Sequence, residues 1–216
     1  MQEYLMTTGM VLKVEPIGEY DRRVVILTTD RGKISAFAKG ARRPNSRLMA
    51  ATNPFCFGEF KLYPGRNSYT IMDVEVTNYF ESLRNDFEAA FFGMYFLEIS
   101  DYYTRENNDE KQMLKLLYQS LRALMAKGLD HRLVRTVFEI KSIAINGEFP
   151  GIPESNEFLD STLYTVEYII TSSIEKLYTF TVKPEVLTEL MKLARSYCRR
   201  CMDKDFKSIE ILENLL

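Results

Sequence analysis

The chain has 216 residues, of which 46% are hydrophobic and 27% charged, and these ordinary globular values exclude a disordered or fibrous protein. Three cysteines are too few for a disulfide framework and favour a reducing compartment. The first residues lack a basic segment followed by an apolar run, and no stretch approaches the roughly 20 apolar residues of a membrane span. We therefore expect a soluble, cytoplasmic protein without a secretory signal.

The net charge of −2 hides a segregation of charge along the chain. Residues 1–80 carry 11 basic and 8 acidic side chains, so the remainder is acidic overall. Between Arg31 and Arg66 only Glu59 is acidic, against eight basic residues: Arg31, Lys33, Lys39, Arg42, Arg43, Arg47, Lys61 and Arg66. A basic cluster on an acidic protein is typical of a site for a polyanion, although a solvated basic face is the alternative.

Hydrophobic alternation and turn signals predict five strands in the first 80 residues. The first strand places Met6, Thr8, Met10, Leu12 and Val14 on one side. The second and third form a hairpin around a Thr-Asp-Arg-Gly turn. Five strands in so short a segment predict a small closed or nearly closed β-barrel. The predicted strands are Met6–Val14, Arg23–Thr28, Lys33–Lys39, Cys56–Leu62 and Ser68–Val76.

Near residue 80 the period of the apolar residues changes from 2 to 3.6, which predicts helices. Capping signals place the start of a first helix at Asn85, of a second after Asn107 and of a third after Asp130. We expect these helices to end near Arg105, Ala126 and Asn146, before an irregular segment 148–161, a short helix 161–170 and a long helix from Pro184 to about Asp203. The predicted fold class is therefore two-domain α+β, with a barrel over residues 1–80 and an all-helical domain over residues 81–216.

The motifs of common catalytic and metal sites are missing from the sequence. His131 follows a predicted helix cap without a recognisable nucleophile, and neither a phosphate-binding glycine loop nor a metalloprotease motif occurs. Cys198 and Cys201 form a CxxC pair, but only Cys56 and His131 remain as further zinc ligands, so buried helical thiols are the favoured interpretation. We expect no catalytic residue, metal or cofactor, although a cluster of acidic residues of the nuclease type stays open.

The segment 33–47 is the best candidate for a binding site. Alternation directs Phe37 outward between two lysines, where a base can stack on the ring while ammonium groups meet phosphates. The alternative is that this ring packs under the helical domain. The loop that follows adds three arginines able to grip phosphates without reading sequence. The candidate DNA-binding residues are Lys33, Phe37, Lys39, Arg42, Arg43 and Arg47.

Several sequence runs in this order resemble the RecO family of bacterial DNA-repair recombination mediators. The specific combination is GEYDR, TDRGK, AKGARR and SR in this order in the first half. The runs PGRNSYTIMDVE, FEIKSIAINGEFP and DKDFKSIEIL continue the resemblance. The resemblance covers most of the chain. It implies an N-terminal OB-fold and a C-terminal helical domain.

The resemblance also implies a function and partners. Family members bind single- and double-stranded DNA, anneal complementary strands, and act with RecR and single-strand-binding protein to load RecA. An acidic, hydrophobic tail on the single-strand-binding protein implies an apolar pocket beside a cation, which we expect on the helical domain. Many members carry a zinc-binding cysteine insertion after the run FEIKSIAINGEFP, but this chain has GIPESNEFLDST there, so the metal is not transferred.

Two other functions compete with that of a nucleoid-associated DNA-binding mediator. The basic loop could bind the acidic tail of another protein, and the chain would then be a protein adaptor without DNA binding. Scattered carboxylates could also form a metal-dependent nuclease. Steep salt dependence of oligonucleotide binding supports the mediator over the adaptor, and cleavage of DNA with magnesium or manganese would identify the nuclease.

Overall fold

A computed structural model describes residues 4–66, 68–153 and 157–215. The strands are β1 (Leu5–Ile17), β2 (Asp21–Thr28), β3 (Gly32–Ala38), β4 (Phe57–Pro64) and β5 (Tyr69–Asn78). The helices are α1 (Leu48–Ala51), α2 (Glu81–Arg84), α3 (Phe87–Tyr103), α4 (Lys111–Leu124), α5 (His131–Ile145), α6 (Asp160–Thr171), α7 (Pro184–Cys201) and α8 (Lys207–Leu215). Strands followed by helices confirm the predicted α+β fold class.

The five strands form a closed barrel in the order β1-β2-β3-β5-β4. β1 closes it because its first half pairs with β4 and its second half pairs with β2, both antiparallel. The remaining contact is a short parallel pairing of β3 with β5, in which Ala36 lies opposite Tyr69 and Phe37 opposite Thr70. Closure satisfies the backbone groups that an open sheet would leave at its edges.

Side chains of alternating residues fill the interior of the barrel. On β3 the predicted alternation is confirmed, since Ile34, Ala36 and Ala38 are all buried in this core. On β1 the predicted single face is wrong, because a bulge between Val11 and Lys13 shifts the phase of the strand. Val11 therefore lies in the barrel core and the partly buried Val14 packs against it, whereas Met6 is 47% exposed.

The chain folds into two compact units, residues 1–81 with 97–114 and residues 82–96 with 115–216. In the first unit, the turn between β2 and β3 pairs with the segment after α3. The backbone N–H of Lys33 donates to the Arg105 carbonyl (3.0 Å), and that of Asn107 donates to the Arg31 carbonyl (2.9 Å). Gly32 has φ +62°, and a Cβ there would lie 2.2 Å from the Arg105 oxygen, so this close approach requires glycine.

The second unit is helical. Asp130 caps α5 as predicted and accepts a hydrogen bond from the Arg132 backbone N–H (2.8 Å). The first cap is instead Asp86, whose carboxylate accepts from the Ala89 backbone N–H (3.0 Å), one residue later than the predicted Asn85. The helix α8 was not predicted from the sequence. None of the described helices is long and apolar enough to cross a membrane.

Candidate nucleic-acid interface

Residues 39–47, here called the basic loop, leave the end of β3 and are fastened to the turn between β1 and β2. The Gly40 backbone N–H donates to Asp21 Oδ1 (2.7 Å), and the Arg42 backbone N–H donates to the Tyr20 carbonyl (2.8 Å). The Arg42 guanidinium also donates to the Gly18 carbonyl (3.2 Å). The backbone of the loop is thus fixed before any ligand binds, which lowers the entropy cost of binding.

The cations of the basic loop are exposed. The exposed side chains are Lys39, Arg42, Arg43 and Arg47, and the loop contains no acidic residue. The Arg43 guanidinium lies 5.1 Å from the centre of the Tyr20 ring, which is itself 39% exposed. This cation–π contact orients the guanidinium on the surface. Four of the six predicted DNA-binding residues therefore lie together.

Two residues that support the loop were missed by the sequence analysis. The Arg22 guanidinium reaches the segment that follows the loop and donates to the Met49 carbonyl (2.7 Å) and to Thr52 Oγ1 and Asn53 Oδ1 (3.0 Å each). Burial, and then repulsion by Arg42, lowers the pKa of Arg22. Tyr20 and Arg22 both belong to the run GEYDR, which pointed to the family but not to this supporting role.

Lys33 lies apart from the other candidates. Lys33 is the second residue of β3 whereas Lys39 follows the end of that strand, so about 20 Å of extended strand separates the two residues. The Lys33 ammonium is 2.8 Å from Asp101 Oδ1 and also donates to the Asp101 carbonyl. Its side chain is only 21% exposed. An ion pair with a local carboxylate leaves Lys33 a weak candidate for phosphate binding.

Phe37 lies on the outer face of the barrel and is half-buried. Its register partners are the exposed Arg23 on β2 and the half-buried Thr70 on β5. The ring is therefore neither fully exposed nor part of the barrel core. Its outward direction from a rigid strand is compatible with stacking of a base.

A second basic surface occupies the helical unit, in a cavity of about 490 Å³ between α5 and α7. α7 contributes three exposed cations at the spacing of one helix face, Lys192, Arg195 and Arg199, beside the partly buried Met191. An adjoining cavity of about 250 Å³ shares two of these arginines and adds apolar residues that include Phe206. We call these two cavities the helical groove.

A buried ion pair forms one wall of the helical groove. The Arg135 guanidinium and the Tyr95 hydroxyl both donate to Glu139 Oε1, each at 2.8 Å. The Glu139 side chain is only 4% exposed. Burial, followed by the charge of Glu139, raises the pKa of Tyr95 and keeps its hydroxyl protonated as a donor. Arg135 is thus partly neutralised inside the wall, while the α7 cations face solvent.

The cysteines and the histidine considered as metal ligands are buried or make hydrogen bonds to other groups. Burial raises the pKa of the Cys198 thiol, and the Cys201 thiol donates to the Glu148 carbonyl (3.4 Å). The His131 ring lies between Glu88 Oε2 and the Leu124 carbonyl, at 3.0 Å from each. Among the described residues, no three His, Cys, Asp or Glu side chains are grouped as a metal site requires.

Comparison with known families matches two segments of the chain, which together end at residue 153. The family model described as recombination protein O N terminal matches residues 1–80, and that described as recombination protein O C terminal matches residues 84–153. The chain belongs to the RecO family. This membership confirms the resemblance found in the sequence, and the matched segments include the basic loop and all of α5.

Curated RecO proteins from several bacteria are similar to the chain. The DNA repair protein RecO of Acetivibrio thermocellus is 29% identical over 244 residues, which cover 98% of this chain and 97% of the relative. That of Alkaliphilus metalliredigens is 28% identical, with 98% and 99% covered. That of Bacillus pumilus is 30% identical over 150 residues, covering 69% and 58%. RecO membership and these relatives support a role in DNA repair and recombination.

Proposed function

We propose that the protein is a non-catalytic recombination mediator that binds and anneals DNA strands in the cytoplasm, on DNA of the nucleoid. It would help to load the RecA recombinase on single-stranded DNA coated by single-strand-binding protein. The observation that carries the proposal is the basic loop, which contains no acidic residue and from which four exposed cations project on a backbone fastened to the barrel.

The chemistry of the basic loop suits the phosphate backbone. Arginine guanidinium groups bind phosphate oxygens in a bidentate manner, and contacts to phosphates carry no direct sequence information. Neutralising the phosphates of two strands at one surface lowers their repulsion and brings them together. Annealing by this route requires neither a nucleotide nor a metal.

The helical groove supports the proposed protein partner. A tail that combines carboxylates with apolar side chains needs cations beside an apolar floor, and Lys192, Arg195 and Arg199 beside Met191 and Phe206 supply both. We therefore assign the tail of single-strand-binding protein to this groove. RecR is the second proposed protein partner.

The test of DNA binding is reversal of charge in the basic loop, with Arg42→Glu and Arg43→Glu combined. Binding should weaken for every oligonucleotide sequence alike, because phosphate contacts do not read bases. The slope of log K against log salt should fall by about 0.7 per lost contact on single strands and about 0.9 on duplex. Fluorescence anisotropy over a series of salt concentrations measures both quantities.

The matched control reverses two exposed cations of the helical unit, with Lys127→Glu and Arg200→Glu, and makes the same change in net charge. This control should keep the affinity and the salt slope of the wild type. If the loop variant binds DNA as the wild type does, the basic loop is not the DNA site. If the wild type does not bind bare oligonucleotides, the adaptor hypothesis replaces the mediator. Cleavage of labelled DNA in magnesium or manganese would favour the nuclease.

A further inference from the structure

A single row of side chains crosses four neighbouring strands of the barrel and continues to the start of β1. Direct register pairs join Phe37 to Arg23 and to Thr70, and Thr70 to Tyr63. Tyr4 extends the row because the next residue, Leu5, pairs with Leu62. From β2 through β3, β5 and β4 to the residue before β1, the row consists of Arg23, Phe37, Thr70, Tyr63 and Tyr4.

The row faces outward from the barrel. Residues paired in register share one face of a sheet, and neighbours along each strand point to the other face. Ala36, Leu62 and Ile71, each next to a member of the row, are all buried in the barrel core. The row members are half-buried or exposed, and Tyr4 at its end is 41% exposed.

Three of the five residues in the row are aromatic. The rings of Tyr4 and Tyr63 lie edge to face, with centroids 6.2 Å apart and planes at 64°. The Lys61 ammonium lies 4.6 Å from the centre of the Tyr4 ring. Phe37 and Tyr63 are separated by one strand, so about 10 Å divides their backbones. The rings are therefore spread along one line and do not form a single cluster.

We propose that this row, from Phe37 to Tyr63 and Tyr4, is a stacking track for the bases of single-stranded nucleic acid. The inference rests on the proposed function and extends it from the basic loop to β4 and β1. Every base has a face that can stack on an aromatic ring, so such a track binds single strands without preference for sequence. Bases inside a duplex are stacked on each other, so the track should favour single strands over duplex.

The charges around the row support a nucleic acid as its occupant. The exposed Arg23 lies at one end of the row, and at the other end the Lys61 ammonium contacts the Tyr4 ring. The exposed Arg66 follows Tyr63 by three residues in the chain. Of the nearby carboxylates, Glu15 is the register partner of Arg23 and forms an ion pair with Lys13 (2.6 Å).

Other carboxylates lie further along β4 and β5. Asp73 is the register partner of Lys61, and Glu59 lies opposite Glu75. Their negative charge should repel phosphates and confine a strand to the end of the sheet that carries the row.

The test compares two double variants, Tyr4→Leu with Tyr63→Leu and Tyr4→Phe with Tyr63→Phe. Leucine keeps apolar volume but removes the rings, and phenylalanine keeps them. For a thymidine oligonucleotide, the leucine variant should lose roughly fivefold to hundredfold in affinity for each base that stacks, while the phenylalanine variant binds as the wild type does. Phe37→Ala should show a loss of the same kind.

Two further probes distinguish stacking from contacts to the backbone. An oligonucleotide of the same length with abasic sites keeps its phosphates, so the leucine variant and the wild type should bind it equally. A thymidine strand substituted with iodouracil should crosslink to peptides containing Tyr4 or Tyr63 on irradiation.

The outcomes separate this inference from the proposed function. If the leucine variant binds the thymidine strand as the wild type does and no crosslink forms, the track is wrong, while loss of binding in the Arg42 and Arg43 variant still supports the basic loop. If the wild type binds no oligonucleotide, the proposed function itself fails. An equal loss of affinity for thymidine and abasic strands would also overturn the track, because it would show contacts to phosphate.

Discussion

The two basic surfaces of this protein differ in what surrounds their cations. In the basic loop, Arg42 and Arg43 project from a polar segment, and their nearest partners are backbone carbonyls and the Tyr20 ring. In the helical groove, Lys192 and Arg199 border cavities with apolar side chains and a buried ion pair. The first surface offers charge alone, whereas the second offers charge beside a place for an apolar group.

This difference indicates that basic residues alone do not identify a ligand. Phosphate groups on a polymer need only exposed cations, since their binding is driven by the release of counterions. A peptide that carries both carboxylates and apolar side chains needs a cavity as well, because apolar burial supplies much of its affinity. This difference supports our proposals that nucleic acid binds the basic loop and that an acidic, apolar peptide binds the helical groove.

The largest expected effect comes from breaking the wall of the helical groove with Glu139→Ala. Removing this buried carboxylate takes away the ion-pair partner of Arg135, whose side chain is only 16% exposed. Loss of one partner of a buried ion pair costs about 3–5 kcal/mol of stability. Denaturation by urea measures the free energy of unfolding for the variant and the wild type.

Glu139→Gln is the matched control, because its amide oxygen can still accept hydrogen bonds from Arg135 and Tyr95. We expect it to lose less stability than the alanine variant. A loss below about 1 kcal/mol for Glu139→Ala would show that the ion pair does not support the groove.

A crossed experiment tests the comparison directly, with charge reversal in one surface at a time. The Lys192→Glu and Arg199→Glu double variant should lose about tenfold or more in affinity for an acidic, apolar tail peptide and keep its affinity for DNA. The Arg42→Glu and Arg43→Glu double variant should lose affinity for DNA and keep its affinity for the tail peptide. Calorimetry with the peptide and anisotropy with an oligonucleotide provide the two measurements.

Arg200→Glu is the control for the helical groove, because Arg200 is exposed on the same helix without lining either cavity. It should leave both affinities unchanged. If each double variant weakens both ligands equally, net charge controls binding and the two surfaces are not specialised.

The sequence predicted the features that depend on neighbouring residues. The alternation of Ile34, Ala36 and Ala38 defined the inner face of β3, and the residues of the basic loop are contiguous in the chain. The strand β1 shows the limit of this reasoning. Its bulge near Leu12 depends on pairing with β2, and it moved Val11 and Val14 to the same side of the sheet.

Features built from distant residues could not be predicted. Lys33 and Asp101 are 68 residues apart, so a lysine that looked available for DNA is held by an ion pair. The stacking row joins Tyr4 to Tyr63 only through the closure of the barrel. The helical groove likewise needs α5 and α7 to pack together, and no local pattern in the sequence specifies that contact.

The smallest expected effect concerns Lys141 in α5, which is 7% exposed. Its ammonium donates to the Ile170 and Ser172 carbonyls (2.9 and 2.7 Å) at the C-terminal end of α6, where a cation is favoured by the helix dipole. Burial lowers the pKa of Lys141 below its usual 10.5. Burying the charged ammonium of Lys141 therefore opposes folding of the wild type, and this unfavourable contribution is absent in the Lys141→Met variant.

The direction of the pH dependence follows from this shift. Below the lowered folded pKa, both the folded and the unfolded states hold the proton, and the cost of burying the charge is complete. As the pH rises towards 10.5, the folded state releases its proton while the unfolded state still holds it, so folding becomes more favourable. As the pH is raised towards 10.5, the free energy of unfolding of the wild type should therefore rise relative to that of Lys141→Met, as measured in urea. A difference that stays constant or falls over this range would show that the buried ammonium is not penalised, and that its two carbonyl partners offset the burial completely.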